Sequence, residues 1–284
     1  MSPGRKLVPA AIAGVVVLAA SALAASPPAQ PGPSVVADDA AYRVMLPDTS
    51  ALPDRIGQVL TQARCVLAND FVRDGGAISV GGYAGRDAAT ALHRRLAGIV
   101  GAELLDWRVQ PVDPVFCDAL AVLRPVSALA GAPIGGLVVT LAGGITTLRD
   151  GQRIKLRVTM GDFAGEVRVD YLVHDGSVMH LYPIAADPSQ NMVAQPSVRL
   201  APGAELSLGE PSPGHPGWEV GPPYGTDMII AVASSTPLLA RTQTRNADDN
   251  AAPYLRDLAD GIARVRRSGG RIAGTLLRID AVEK

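Results

Sequence analysis

The sequence predicts an α+β N-terminal module, then a mainly-β, antiparallel sandwich-like domain with a terminal helix and strand. Two observations carry this prediction. Gly and Pro number 30 and 23 among 284 residues, punctuation that favours short strands and turns over long helices. Beyond about residue 137 the apolar residues mostly alternate, as in Ile154-Leu156-Val158 and Val167-Val169-Tyr171, whereas before it helical spacing is interleaved with short strands.

The elements follow in order. Arg5 and Lys6 precede an uncharged apolar run from Leu7 to Ala24, and Ala22-Leu23-Ala24 is followed by Ser26-Pro27-Pro28. Residues 1–26 therefore read as a signal peptide, or as a membrane tether through residues 7–24 if left uncleaved. Both readings place the chain in the periplasm or outside the cell, the second with an inner-membrane anchor. Residues 27–50 are a Pro/Ala-rich linker.

Residues 51–126 form the small α/β module. A helix opens at Leu52-Pro53-Asp54 with Ile56, Val59 and Leu60 on one face. A strand runs from Ala77 to Tyr83, a helix from Arg86 to Val100, a strand from Leu104 to Val112 and a helix from Phe116 to Leu123. The module holds both cysteines, Cys65 and Cys117. An even count in an exported chain predicts a disulfide, here joining the first and third helices. Closing that loop stabilises the fold by roughly 4 kcal/mol in the chain-entropy account.

Residues 127–136 are small and glycine-rich and read as a linker to the domain at 137–284. That domain has strands at Arg153–Met160, Glu166–Val173, Ser177–Tyr182, Ser197–Leu200, Glu205–Leu208 and Thr226–Ala233. Asp175-Gly176 predicts a two-residue hairpin turn that puts His174 against Ser177 and His180 against Tyr171. Ala252 to Arg267 is an amphipathic helix ended by Gly269-Gly270, and Arg271 to Val282 returns as a strand.

Several stretches of this second domain resemble the domain of unknown function numbered 4384. They are Leu156-Arg157-Val158, Val167-Arg168-Val169-Asp170-Tyr171, Asp175-Gly176-Ser177-Val178, His180-Leu181-Tyr182-Pro183 and Gly221-Pro222-Pro223-Tyr224-Gly225-Thr226-Asp227. The resemblance spans roughly residues 137–284. That family is found appended to bacterial serine/threonine kinases and caspase-like proteins. The resemblance implies an extracytoplasmic accessory module and supplies no catalytic residues. This chain has neither a kinase glycine loop nor a His-Arg-Asp loop.

Composition narrows the function further. Aromatic residues make up 4% and the net charge is −1, so neither a base-stacking platform nor a basic footprint for nucleic acid is present. His93 lies beside Arg94 and Arg95 on a solvated helix face, and His174 and His180, which flank one hairpin, have no third ligand to converge with them on zinc. No metal or cofactor is expected. No Gly-x-Ser-x-Gly occurs, and Asp175, Ser177 and His180 share one hairpin without converging. Asp162, Glu166 and Asp170 read as the solvent face of a strand, and Gly75-Gly76, Gly81-Gly82, Gly135-Gly136 and Gly143-Gly144 as turns.

The segment from Pro211 to Asp227 is the candidate recognition loop, through Trp218, Tyr224 and Asp227, with His215 and Glu219 beside them. Its aromatics either present a stiff binding surface or plug the end of the sandwich. The expected function is an exported, non-catalytic bacterial accessory protein that binds another protein or an envelope component, with a link to envelope signalling. The alternative is a cell-envelope hydrolase that uses acidic or histidine residues of the β domain.

Overall fold

The computed structural model describes residues 52–72, 77–127, 136–239 and 246–284. Helix α1 (Leu52–Gln62) buries Ile56, Val59 and Leu60, and Asp54 in its first turn suits the helix dipole. The chain then turns at Cys65 into β1 (Val66–Val72), which pairs antiparallel with β2 (Ile78–Gly85). Strand β1 was not expected from the sequence. Its run lacks alternation and holds Asn69-Asp70, residues poor in strands, so only the pairing with β2 selects it. Gly81 and Gly82 lie within β2 rather than in a turn. A Cβ on Gly82 would meet the Leu67 carbonyl at 2.2 Å, so glycine is what lets β1 approach.

Helix α2 (Arg86–Val100) buries Ala89, Leu92 and Leu96, and carries the chain over to β3 (Leu105–Val112), which runs parallel to β2. A parallel neighbour needs such a crossover. Helix α3 (Cys117–Leu123) follows.

The rest of the chain is mainly strand, with one helix: β4 (Val138–Leu141), β5 (Thr147–Arg149), β6 (Leu156–Thr159), β7 (Gly165–Leu172), β8 (Val178–Tyr182), β9 (Arg199–Leu200), β10 (Glu205–Leu208), β11 (Thr226–Ser234), β12 (Ala247–Asp248), α4 (Ala251–Arg267) and β13 (Ile272–Val282). Strands β4, β5 and β12 were not expected. Each is four residues or shorter, too short for a periodicity to register. The central sheet has the order β12-β8-β7-β11-β13-β5, with β9 added beside β7, and all of its pairs are antiparallel except β13 with β5. A second, three-stranded sheet has the order β10-β6-β4.

Alternation along the central strands assigns the layers. Val167, Val169 and Tyr171 of β7 and Ile229, Ala231 and Ala233 of β11 face one way, into a core shared with Leu156 and Val158 of the second sheet. Leu172, Met228, Ile230 and Val232 face the other way, onto Leu255, Leu258 and Ile262 of α4. The sandwich is thus capped by helix on its outer side.

Leu120 and Leu123 of α3 and Leu67 of β1 belong to that same helical core. The two expected units therefore share a core, and Pro47–Lys284 is one compact unit. Residues 128–135 of the expected linker, and the expected signal or tether and linker at 1–50, lie outside the described residues. Among the described residues no helix is long and apolar enough to cross a membrane.

Candidate functional site

The hairpin between β7 and β8 decides which polar residues meet. Its loop has three residues, not two: Val173 N–H donates to the Ser177 carbonyl at 3.0 Å, and Gly176, at φ 90°, supplies the left-handed residue that closes it. One extra loop residue shifts the register by one. His180 therefore lies opposite Asp170, and Met179 opposite Tyr171. Because strand side chains alternate, the shift brings His180 and Asp170 together on the α4 side.

Asp170 is consequently 1% exposed, not on a solvent face as its alternation with Val167, Val169 and Tyr171 suggested. Its carboxylate accepts from His180 Nδ1 at 2.6 Å, from Arg168 Nε at 3.2 Å and from the Tyr254 hydroxyl of α4. Arg168 Nε also donates to the Tyr254 oxygen at 3.1 Å. His180 Nδ1 lies 2.9 Å from Arg168 Nη2 as well. A guanidinium only donates, so Nδ1 cannot accept from it while donating to Asp170, and the shorter, charged contact to Asp170 decides the tautomer. His180 Nε2 faces Asp248 of β12 at 3.3 Å. Burial, then the Asp170 charge, push the Tyr254 phenol well above its ordinary range. Burial works against the charge of Arg168, but Asp170 and Tyr254 together outweigh it and raise that pKa. This cluster holds α4 onto the sheet.

A second cluster sits on the opposite face. Asp227, expected in the recognition loop, is the second residue of β11 and is 2% exposed. The loop ends two residues earlier than the expected boundary, because the strand already pairs with β13 at Thr226. Asp227 accepts from Tyr171 Oη at 2.6 Å, from the His174 N–H at 2.9 Å and from His174 Nδ1 at 2.7 Å. Burial and then this hydrogen bond raise the Tyr171 pKa. His174 is thus an oriented imidazole on a buried acid. Among the described residues it hydrogen-bonds only Asp227, and the Ser177 hydroxyl donates to Asp175 at 2.7 Å, so no nucleophile completes a triad with it. His174 and His180, the hairpin's two histidines, reach opposite sides of the sheet, and no group of three potential metal ligands occurs among the described residues.

Trp218 and Tyr224 are half-buried and pack against the sandwich core. Tyr224 reads as a plug. Trp218 does more, because it lines a cleft of about 250 Å³. Two loops build that cleft. In one, Ile184 and Gln195 exchange backbone hydrogen bonds at 2.9 Å, making a small hairpin. In the other, Ser212 and His215 exchange them at 2.8 Å around Pro213-Gly214. Val193 N–H donates to the Gly214 carbonyl at 3.1 Å and ties the two together.

The floor is equally fixed. Ile154 N–H donates to the Trp218 carbonyl at 2.9 Å, and Arg153 Nη1 to the Pro216 carbonyl at 2.8 Å. Gly209, at φ 87°, lets the end of β10 lie against both; a Cβ there would meet the Ile154 carbonyl at 2.0 Å and the indole at 3.0 Å.

The charges near the cleft are paired: Lys155 with Glu210 and Arg153 with Glu219, each at 2.9 Å. The side chains of Gln195, Ser207, Ser212 and His215 also line or border it, and none hydrogen-bonds the described residues. His215 Nδ1 is fully buried without a partner among them. Sequence reasoning marked Trp218 and His215 but missed Gln195 and Ser207, which come from a different loop and from β10.

The predicted disulfide is present. Cys65 and Cys117 are bonded across 52 positions, with their Cα atoms 4.5 Å apart. It joins the turn after α1, not α1 itself, to the first residue of α3, since α1 ends at Gln62.

No family model and no curated protein matches the sequence. Among solved structures, the crystal structure of AsqI with Zn aligns over 83% of this chain and 61% of that one, at 11% identity and a TM-score of 0.23. The chain thus spans about three-fifths of that protein's length, and so low a score carries no argument.

Proposed function

We propose that the chain is an exported bacterial accessory protein that binds a partner protein or envelope component at the Trp218 cleft, without catalysis. The observation that carries this reading is the cleft itself: a fixed floor, an aromatic wall and four polar side chains with unused hydrogen-bonding capacity. Pre-formed concave sites of mixed apolar and polar lining are where ligands bind. The disulfide supports the extracytoplasmic setting, because such bonds persist in oxidising compartments. The signal-like N-terminus and the resemblance of residues 137–284 to the domain numbered 4384 support the accessory role and the link to envelope signalling.

The test is capture from an envelope fraction by immobilised protein. Trp218→Ala is expected to reduce capture at least tenfold while the circular dichroism spectrum stays that of the parent and the melting temperature falls only by the packing the half-buried indole supplies. Undiminished capture would remove the cleft as the binding surface.

A further inference from the structure

We infer that the Trp218 cleft binds a neutral carbohydrate, taking one sugar ring of a larger glycan; this rests on the cleft being the binding site. Three properties of the lining point there. The first is charge. Glu210 is held by Lys155 and Glu219 by Arg153, each at 2.9 Å. An anionic ligand would face the Glu210 carboxylate, the one charged group in the lining, and a cationic one would find that acid already paired with Lys155. The cleft therefore favours a ligand without net charge.

The second property is the kind of polar group on offer. Hydroxyls of Ser207 and Ser212, the amide of Gln195 and the imidazole of His215 each both donate and accept. None is used within the described residues. Sugar hydroxyls have the same dual character, so such a set meets them in either sense.

The third property is shape. The indole of Trp218, against Gly209, gives a flat apolar surface, and Ile184, Met192, Leu208, Pro211 and Pro216 supply the rest of the apolar lining. A pyranose presents a C–H face to such a surface and its hydroxyls to the rim. At about 250 Å³ the cleft falls below the roughly 300–1,000 Å³ of pockets for drug-sized ligands, so it accommodates a ring and not an oligomer.

The chain has two tryptophans, Trp107 and Trp218, so Trp107→Phe leaves the cleft residue as sole reporter. Its emission is titrated with N-acetylglucosamine and maltose, with glucuronate and glucosamine as charged counterparts, and with trialanine as a peptide. Saturation-transfer difference NMR on the unsubstituted chain gives the same reading without any variant. The expected result is a saturable change with the neutral sugars, at least fivefold weaker binding of both charged sugars, and at least fivefold loss in Ser207→Ala and His215→Ala. Equal binding of charged sugars, or binding of trialanine alone, overturns the carbohydrate assignment and leaves the cleft standing. Silence from every probe also overturns it. If Trp218→Ala then still captures its envelope target in full, the cleft falls as well.

Discussion

Tyr171 and Tyr254 sit on opposite faces of the central sheet, and each donates its phenol to a buried carboxylate, Asp227 and Asp170 respectively. Burial raises both pKa values above the ordinary value near 10. The sign of the consequence follows from linkage. An unfolded chain ionises these phenols at about pH 10 while the folded one keeps them neutral. The stability they contribute is therefore intact below about pH 10 and is lost as pH rises through their raised values. In an absorbance titration at alkaline pH, the wild type minus Tyr254→Phe difference is expected to show no phenolate step near pH 10, the step arriving only with unfolding. A reversible step there would mean that α4 does not seal the site. Tyr254→Phe should also cost about 1–3 kcal/mol, because Asp170 loses one donor in a dry setting. At this scale the sequence was only partly legible. Asp170 alternates with core residues and reads as solvent-facing, because nothing local announces that α4 covers that side. Trp218 was legible from its stiff Pro/Gly surroundings, whereas Gln195 and Ser207 become neighbours of it only through tertiary folding.

Among the elements, α4 shows how contact overrides propensity. Gly261 lies in its interior, where alanine is normally better by about 1 kcal/mol. A Cβ at that position would sit 2.1 Å from the Leu238 carbonyl, which also accepts from Arg264 Nη2 at 2.6 Å. Overpacking against backbone typically costs about 1–3 kcal/mol, so Gly261→Ala should destabilise despite its helical advantage. Gly57 in α1 has nothing within 4 Å of the same position. Gly57→Ala should therefore stabilise, by about 1 kcal/mol. Urea unfolding of the two variants reads the opposite signs directly; two shifts in the same direction would mean that the Leu238 segment yields to the new methyl. The helices were legible because each carries an apolar stripe, β7 because it alternates, and β8 and β11 because they are short, mostly apolar runs bounded by turn residues. The hairpin register was not, since an Asp-Gly pair fits a two-residue and a three-residue loop equally well, and only the position of Gly176 within the turn distinguishes them.

For the whole molecule, the question is how the N-terminal α/β part and the sandwich hold each other. Helix α3 touches both: its Leu120 and Leu123, with Phe116 just before it, share a core with Leu67 of β1, with Met228 and Ile230 of the central sheet, and with α4. Arg124, just past its end, donates to the carbonyls of Thr61, Ala63 and Val66, tying this helix to the chain around Cys65. The disulfide closes the same junction covalently, and its 52-residue span contributes roughly 4 kcal/mol in the chain-entropy account. A junction with a shared apolar core should unfold with its neighbours and not before them. The intact protein is thus expected to melt in one calorimetric transition. Replacing both cysteines by alanine should lower that transition by about 8–16 °C, taking about 2–4 °C per kcal/mol for a chain of this size, yet leave it single, because the apolar contacts of α3 remain. Two resolved transitions in the cysteine-free protein would show instead that the disulfide, and not the shared core, couples the two parts. Two transitions in the intact protein would mean that α3 belongs thermodynamically to one side alone.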